Sequence, residues 1–586
     1  MRQEDREFLG EMIINNRRKK QEETLKTFGA KTEVSAPKDE THEAIDFYGD
    51  EALAKWVMVM SDGRYGRGMT SAAQLQEYVE CLPLSEVEIV DFLVKVAKGR
   101  LHVAVQGSGS LLWLVWNGRI YDERNEAFTD TITNRLRRVL EVVSVDVEKN
   151  AVTIAQQEQD SGVAKMVKAM SDEVSKFVKS LKTASGLRNV KNVMTGNEYL
   201  RFEEDDHEND ARGYVVEANG NLRHMDNLDV IVDPDPSLLI RKTIGVNATD
   251  GWEDKGMWSE FLRETFGDWD EEKGDFVRNE GKELLLSECA GVALLGTGQS
   301  KHMINIVGSS NSGKSLYIDG LKQVFGEYQS KMSNAGIVKM MGTNFYQDEA
   351  RGQRLLWISE PDRKNVDEAF LKALTGGQYE TLTTSRKGKS SVSWSPQCFF
   401  HVASNDPIQF DASDDALNKR ILTISADNSV TEDDERFDPD RMKKIVEADV
   451  ESIYRWVLAG AASFLANGGK LHIPDEIREI QAERGKNSNP AVQWLHYMIE
   501  EGKMELDPTV KSMSKMHPWR FKEYQMYQYW EAQQGIRTGL SSDQVKAAIE
   551  KFTGRPVNKN TDKKQSNYLR LWGVVEGPNA GDFLDL

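Results

Sequence analysis

Cysteine is scarce in this sequence, and its scarcity excludes two kinds of small scaffold. Three cysteines, Cys81, Cys289 and Cys398, are spread through 586 residues. An odd number at such wide spacing predicts neither a disulfide framework nor a cysteine-ligated zinc site. The amino-terminal segment also lacks an apolar run of the signal-peptide type. We therefore expect a reducing, cytoplasmic compartment.

Long apolar runs and excess positive charge are also missing. No run approaches the roughly 20 apolar residues that cross a bilayer, so no membrane partner is expected. The composition, 39% hydrophobic and 29% charged, is typical of a globular protein of roughly three or four domains. The net charge of −19 argues against unspecific coating of DNA. Basic residues are nevertheless segregated, with 12 Lys/Arg against 5 Asp/Glu between Lys511 and Trp572, so any contact with nucleic acid should be local.

One short stretch carries most of the chemical information. Residues 307–315, VGSSNSGKS, contain the pattern G-x-x-x-x-G-K-[ST] of a phosphate-binding loop. Residues 303–307 are predicted to form an apolar strand and residues 316–325 a helix, which is the context the motif requires. Glycines let backbone N–H groups face phosphates, and the start of a helix favours anions. A chance Gly/Ser-rich loop is the alternative, and the flanking elements disfavour it.

This loop is predicted to bind ATP and Mg²⁺. Lys314 would reach the β- and γ-phosphates, and the Ser315 hydroxyl would hold Mg²⁺. The predicted nucleotide-binding residues are Gly308, Ser309, Ser310, Asn311, Ser312, Gly313, Lys314 and Ser315.

Three further polar residues stand at the ends of apolar strands. Glu360 follows one strand, 46 residues beyond Lys314, where an acid can hold Mg²⁺ or polarise water. Asn405 ends another strand, where an amide can orient the attacking water. Arg420 precedes a fourth strand and is a candidate arginine finger for a neighbouring subunit, a role worth about 10³–10⁵ in rate. Each residue alone would be read as a turn or surface residue, but the nearby phosphate-binding loop favours the functional interpretation.

A basic turn is predicted between the strands that precede Glu360 and Asn405. Residues 381–394 have the pattern of two strands around a turn, and Arg386, Lys387 and Lys389 give the turn its charge. A hairpin with such a tip suits the phosphates of single-stranded DNA. The plain alternative is a solvated hairpin.

These motifs, in this order, resemble superfamily 3 helicases and, among them, the poxvirus, phage and plasmid primase-helicase family. Residues 372–377 match that family's Lys-x-x-x-Gly-Gly pattern ahead of the hairpin. The resemblance assigns residues 308–315 to Walker A, Glu360 to Walker B, Asn405 to sensor 1 and Arg420 to the finger. Many members have two adjacent acids at Walker B, whereas here Ser359 precedes a single Glu360. Which group is the base and which the indirect metal ligand therefore stays open.

The resemblance implies an α/β fold: an AAA+-type P-loop NTPase core with a helical amino-terminal collar region and a carboxy-terminal winged helix. It divides the chain into a polar tail or linker (1–45), an α+β and helical helicase-associated region (46–240), the NTPase core (241–480) and the winged-helix domain (490–586).

The implied function is ATP-dependent unwinding of DNA in viral or mobile-element replication. The family forms rings, commonly homo-hexamers, that move 3′ to 5′ on single-stranded DNA. The implied partners are single-stranded DNA, forked duplex and a separate primase or polymerase, in the cytoplasm of the host cell.

Three alternatives remain open at this point. One is a ring NTPase that moves DNA without unwinding it, and another is a replication-initiator scaffold that uses ATP to assemble. The third is a fused primase, which needs a carboxylate pair on a strand and a histidine motif. Asp146 and Glu148 could supply that pair if residues 142–148 formed a strand, but no Ser-x-His motif follows in the amino-terminal half.

Overall fold

The structure is a computed structural model, and it combines helices with a parallel five-stranded sheet, which confirms the α/β class. The predicted tail up to residue 42 lies outside the described residues. No described helix is long and apolar enough to span a membrane. The structure describes residues 43–106, 109–158, 160–202, 213–337, 345–361, 366–377, 380–386, 389–408, 415–434, 436–487, 490–502, 504–506, 521–522, 525–534, 540–553, 557–559, 568–571 and 574–576.

Within residues 43–202, helices surround a three-stranded antiparallel sheet. Side chains of Ser71, Ser85, Asp160 and Thr183 accept hydrogen bonds from first-turn N–H groups and so fix four helix starts. The elements are α1 (Asp50–Met60), α2 (Ala72–Glu80), α3 (Glu86–Ala97), β1 (Leu101–Val105), β2 (Leu111–Trp116), β3 (Tyr121–Arg124), α4 (Phe128–Gln157), α5 (Ser161–Ser180) and α6 (Ala184–Gly196).

Residues 142–148 are helical, so Asp146 and Glu148 do not form the carboxylate pair on a strand that the fused-primase alternative requires. The segment lies inside α4, where Val143 and Val147 are fully buried at helical spacing. Packing of this apolar stripe outweighs the strand preference of valine. Asp146 Oδ2 instead accepts hydrogen bonds from the Gly66 N–H at 3.1 Å and the Tyr78 hydroxyl at 3.2 Å. The structure thus removes the one feature that suggested a fused primase.

A small antiparallel sheet and two helices lead into the central sheet. Glu217, Arg223 and Tyr454 form a buried polar cluster that joins this small sheet to a later helix. The elements are β4 (Tyr214–Val216), β5 (Leu222–His224), β6 (Ile231–Val232), α7 (Met257–Phe266), the hairpin β7 (Asp268–Asp270) and β8 (Asp275–Val277), and α8 (Glu280–Leu295).

The central sheet has five strands, in the spatial order β10 (Gln329–Lys331), β11 (Leu355–Ser359), β14 (Phe399–Ser404), β9 (Met303–Val307) and β15 (Ile421–Ser425). Every neighbouring pair is parallel. Four of its strands, β9, β11, β14 and β15, are short and mainly apolar, as expected where both faces are covered. The edge strand β10 is polar. The elements are β9 (Met303–Val307), α9 (Lys314–Phe325), β10 (Gln329–Lys331), α10 (Asn334–Ile337), β11 (Leu355–Ser359), α11 (Glu368–Leu374), β12 (Leu382–Arg386), β13 (Lys389–Trp394), β14 (Phe399–Ser404), α12 (Asp415–Asn418), β15 (Ile421–Ser425), α13 (Arg441–Ala466) and α14 (Asp475–Asn487).

The carboxy-terminal described residues form helices and short antiparallel strands in two small sheets, β17-β19-β18 and β16-β20. Residues 521–522 pair as a strand with residues 568–569, and the next described helix begins at Gln525. The elements are α15 (Pro490–Glu500), β16 (Met504–Leu506), β17 (Phe521–Lys522), α16 (Gln525–Gln534), α17 (Ser542–Thr553), β18 (Val557–Lys559), β19 (Tyr568–Leu571) and β20 (Val574–Glu576).

Candidate active site

The predicted phosphate-binding loop connects β9 to α9, and two of its positions accept only glycine. A Cβ on Gly308 would lie 2.1 Å from the carbonyl oxygen of Ala426. Gly313 has φ +86°, and a Cβ there would lie 2.8 Å from Thr265. The loop is thus held against neighbouring backbone on one side and against α7 on the other.

The amino end of α9 is suited to an anion. No side chain caps this end, where Gly313 occupies the N-cap position. The first N–H groups of a helix have no intrahelical acceptor, and the helix dipole adds a favourable field for negative charge. Ser309, Ser310, Asn311 and Ser315 are exposed around this end. Backbone donors and hydroxyl groups therefore surround the position predicted for the phosphates.

Lys314 folds back over the loop that precedes it. Its Nζ donates to the carbonyl oxygens of Gly308 at 2.6 Å and Ser309 at 2.7 Å. It also donates to Ser312 Oγ at 3.2 Å and to Asn405 Oδ1 at 3.3 Å. Burial lowers the pKa of Lys314, and the nearby Glu360 carboxylate acts in the opposite direction. An ammonium group that is partly removed from water is stabilised by an anionic partner, and a phosphate would be such a partner.

Glu360 turns into the site through a strained backbone. It follows β11 directly and has φ +48°, in the left-handed region. For a residue with a Cβ this conformation costs about 1–2 kcal/mol. Its N–H donates to the Ala403 carbonyl at 2.8 Å, and its Oε2 accepts from the Asn405 N–H at 3.3 Å. Such strain is found at functional sites, where the surroundings hold the residue in place.

The carboxyl ends of β9, β14 and β11 bring three predicted site residues into one hydrogen-bonded set. Asn405 lies at its centre, because its side chain accepts from Lys314 and its N–H donates to Glu360. In open parallel sheets, ligands bind beyond the carboxyl ends of the strands, at the point where the strand order changes direction. Neither contact could be read from the motif alone, since Lys314 and Asn405 are 91 residues apart in sequence.

Two oxygen donors fit the expected magnesium ion. Ser315 is the second residue of α9, and the Glu360 carboxylate also lies at the carboxyl ends of the strands. Mg²⁺ prefers hard oxygen ligands and takes one or two from the protein, with substrate phosphates and water completing its octahedron. A hydroxyl and a carboxylate at a phosphate site match this preference.

Arg420 lies at the amino ends of the strands, whereas the loop lies at their carboxyl ends. Its carbonyl oxygen accepts from the N–H of Met303, the first residue of β9, at 2.8 Å. Its guanidinium donates to the Lys372 carbonyl and to Thr375 Oγ1, at the end of α11. The structure therefore does not join Arg420 to the loop of its own chain, and its role towards a neighbouring subunit stays a prediction.

The predicted basic hairpin is present as β12 and β13, which pair antiparallel with Arg386 opposite Lys389. The tip residue Lys387 lies outside the described residues, so binding of DNA by this tip stays a prediction. The base of the hairpin is anchored by contacts that sequence reasoning missed. Trp394 Nε1 donates to Thr384 Oγ1 at 3.1 Å, and Thr384 Oγ1 donates to Asp348 Oδ1 at 2.8 Å. Strands β12 and β13 are thus held to each other and to Asp348 by buried hydrogen-bonded contacts.

Comparisons with known proteins locate the likeness in the same region. A model for a family of unknown function, DUF5906, matches residues 306–420. This stretch contains Lys314, Glu360, Asn405 and Arg420. A search of curated proteins found no match.

The chain is also similar to solved structures of the NrS-1 C-terminal region. One, an A-form apo structure, is 13% identical with a TM-score of 0.39, and the match covers 84% of this chain and 100% of that one. An A-form apo structure of residues 305–718 is 16% identical with a TM-score of 0.33, covering 57% and 75%. A further apo structure of those residues is 16% identical with a TM-score of 0.27, covering 61% and 93%. Scores this low do not establish a common fold.

Proposed function

We propose that this chain is an ATP-hydrolysing DNA helicase of viral or mobile-element replication, built on an AAA+-type P-loop NTPase core. The observation that carries the proposal is the hydrogen-bonded set of Lys314, Asn405 and Glu360 at the carboxyl ends of the parallel strands. A phosphate-binding loop alone would fit many nucleotide-binding proteins. An acid and an amide held beside its lysine also fit hydrolysis, because hydrolysis needs a group that activates water.

Each residue of the set has a distinct task in this proposal. Lys314 neutralises charge on the β- and γ-phosphates, and the loop N–H groups hold them in place. Asn405 fixes the Lys314 ammonium through its side chain and the Glu360 carboxylate through its backbone N–H. Glu360 orients the attacking water and accepts its proton. Bound Mg²⁺, held through Ser315 and Glu360, would supply further neutralisation of phosphate charge.

The position of Arg420 supports a ring, commonly a homo-hexamer, as the working assembly. Arg420 lies at the amino ends of the strands, away from its own loop. Any contact it makes with a nucleotide therefore involves a neighbouring copy. The Arg386, Lys387 and Lys389 tip would bind one DNA strand in the channel and move along it 3′ to 5′. The carboxy-terminal helices and strands would form a winged helix that binds forked duplex, or a separate primase or polymerase.

Unwinding of a forked duplex with a 3′ tail, in the presence of ATP and Mg²⁺, tests the proposal. Wild type should unwind it, and Lys314→Ala should neither unwind DNA nor hydrolyse ATP. Persistent ATP hydrolysis by Lys314→Ala would overturn the site. Hydrolysis by wild type without strand separation would favour a ring NTPase that moves DNA without unwinding. A slow rate that DNA does not change would favour the replication-initiator scaffold.

Affinity for single-stranded DNA tests the hairpin separately. Lys387→Ala combined with Lys389→Ala should weaken binding of labelled single-stranded DNA, and the weakening should shrink as salt rises. The matched control is Lys165→Ala combined with Lys168→Ala, which removes two exposed lysines from α5. Equal affinities in the two double variants would contradict the hairpin's role.

A further inference from the structure

We propose that an exposed tryptophan on the β7–β8 hairpin, Trp269, is the stacking platform for the base of the bound nucleotide. The inference rests on the proposed function, because it concerns the nucleotide whose phosphates occupy the β9–α9 loop. It extends that function to residues outside the loop, the strand ends and the basic hairpin.

The strand order fixes the direction in which the nucleotide lies. Glu360 and Asn405 follow β11 and β14, which lie on one side of β9, whereas β15 lies on the other. The γ-phosphate end therefore points towards β14 and β11. The nucleoside end must leave the loop on the β15 side.

On that side, the segment after β15 and the segment after α7 flank the loop. The Val430 N–H donates to the Asn311 carbonyl at 3.1 Å, which joins the first segment to the loop itself. Asn428 Nδ2 donates to the Gly267 carbonyl at 2.9 Å, which joins the two segments to each other. Thr265, near the end of α7, lies against Gly313. The nucleoside thus leaves the loop beside residues 265–269 and 426–430.

Trp269 stands at this exit with much of its indole open. One residue, Asp268, separates it from Gly267, so the two lie about 7 Å apart along the chain. It is 56% exposed, an unusual exposure for so large an apolar ring. It lies opposite Phe276 in the hairpin, and the two rings meet edge-to-face with centroids 5.0 Å apart.

The hairpin face that carries Trp269 is turned towards the segment after β15. Arg436 from that segment lies over the Phe276 ring, 4.9 Å from its centroid. Arg263 of α7 donates to the Phe276 carbonyl at 2.6 Å and so fixes the hairpin to the helix beside the loop. Phe276 thus holds the Trp269 ring through an edge-to-face contact, and the exposed part of the indole remains available for stacking.

The charge of the hairpin argues for a base as the occupant and against a DNA strand. The two arginines beside Phe276 are each paired with a carboxylate, Arg436 with Asp434 and Arg263 with Asp275. The hairpin carries Asp268, Asp270, Glu271, Glu272 and Asp275 against a single basic residue, Lys273. A DNA strand stacked on this ring would bring its phosphates against those carboxylates. A nucleotide keeps its phosphates at the loop and presents only its uncharged base here. A purine offers the larger stacking area, so the expected ligand is a purine nucleoside triphosphate.

Calorimetric binding of two ligands tests the inference: adenosine β,γ-imidotriphosphate, which has a base, and inorganic tripolyphosphate, which has none. Base–aromatic stacking predicts that Trp269→Ala weakens the adenosine ligand about 5- to 150-fold and leaves tripolyphosphate binding unchanged. Trp269→Phe should retain most of the affinity. The matched control is Tyr48→Ala, which removes another exposed aromatic ring, 72% exposed, and should change neither affinity.

The other possible results distinguish failure of the inference from failure of the proposed function. Unchanged affinity for the adenosine ligand in Trp269→Ala, or an equal loss for both ligands, overturns the inference and leaves the proposed function standing. Failure of wild type to bind either ligand overturns the proposed function and the inference with it. Photolabelling of wild type with 8-azido-ATP is an independent check that needs no variant. Label in residues 267–278 or 426–437 supports the platform, and label confined to other peptides overturns it.

Discussion

Replacing Glu360 by glutamine separates the chemical role of its carboxylate from its structural role. The side chain keeps its size and an oxygen that can accept the Asn405 N–H, a contact of 3.3 Å in the structure. The φ of +48° is equally strained with either side chain. We therefore expect the stability of Glu360→Gln to lie within about 0.5 kcal/mol of wild type.

The expected loss is in the rate of hydrolysis. General-base catalysis contributes about 10²–10⁴ in rate, which corresponds to about 2.7–5.4 kcal/mol of barrier. Glu360→Gln should lose turnover by this factor, measured as phosphate release at saturating ATP in the presence of single-stranded DNA. The imido analogue of ATP should still bind, because Lys314 and the loop are unchanged. Glu432→Gln, in an exposed loop, is the matched control and should retain wild-type turnover.

Two outcomes would refute this reasoning in different ways. Turnover of Glu360→Gln within tenfold of wild type would show that the carboxylate is not the base. Loss of analogue binding that excess Mg²⁺ restores would show that Glu360 acts mainly through the metal ion. The second result would resolve the division of roles that the single acid at this position leaves open.

Three further predictions concern stability. Glu360→Gly should be more stable than Glu360→Ala by about 0.5–1 kcal/mol, because relief of left-handed strain exceeds the added chain entropy; equal chemical denaturation midpoints would contradict the strain. Arg223→Met should lower stability by about 3–5 kcal/mol, because it leaves Glu217 buried without its ion pair; adding Glu217→Gln should recover part of the loss, and no recovery would count against the pair. Burial lowers the pKa of His401 to about 4, so the unfolded chain binds the extra proton between pH 6.5 and 4. Stability should therefore fall by up to about 3 kcal/mol as pH drops through that range, and urea midpoints of His401→Leu should lack this part of the pH dependence.

The strand, loop and helix around residues 307–315 could be predicted from the sequence because the arrangement is local. Strand, loop and helix are contiguous in sequence. The close approaches that require the glycines come from distant residues, since Gly308 lies against Ala426 and Gly313 against Thr265. The two strands of the basic hairpin were also predictable, since they are close in sequence and pair antiparallel, although their register shifts between Thr384 and Arg386. The hairpin's anchor was not, because Asp348 lies 36 residues from Thr384 in sequence.

Packing decides the conformation where local propensity allows two. The valine-rich residues 142–148 could have formed a strand, but the buried positions Val143 and Val147 recur at helical spacing and pack α4 into the amino-terminal core. The preference of a short apolar run depends on its neighbours in space, and those neighbours come from distant parts of the chain.

The sequence by itself determined which residue types are available for the chemistry: a lysine and a serine after a glycine-rich loop, and an acid, an amide and an arginine beside apolar strands. Only the tertiary structure decided which of them meet. Insertion of β14 between β9 and β11 places Asn405 between Lys314 and Glu360. The same parallel sheet places Arg420 at the amino ends of its strands. Strand order is set by burial of apolar faces across the whole sheet, and no segment of sequence contains that information alone.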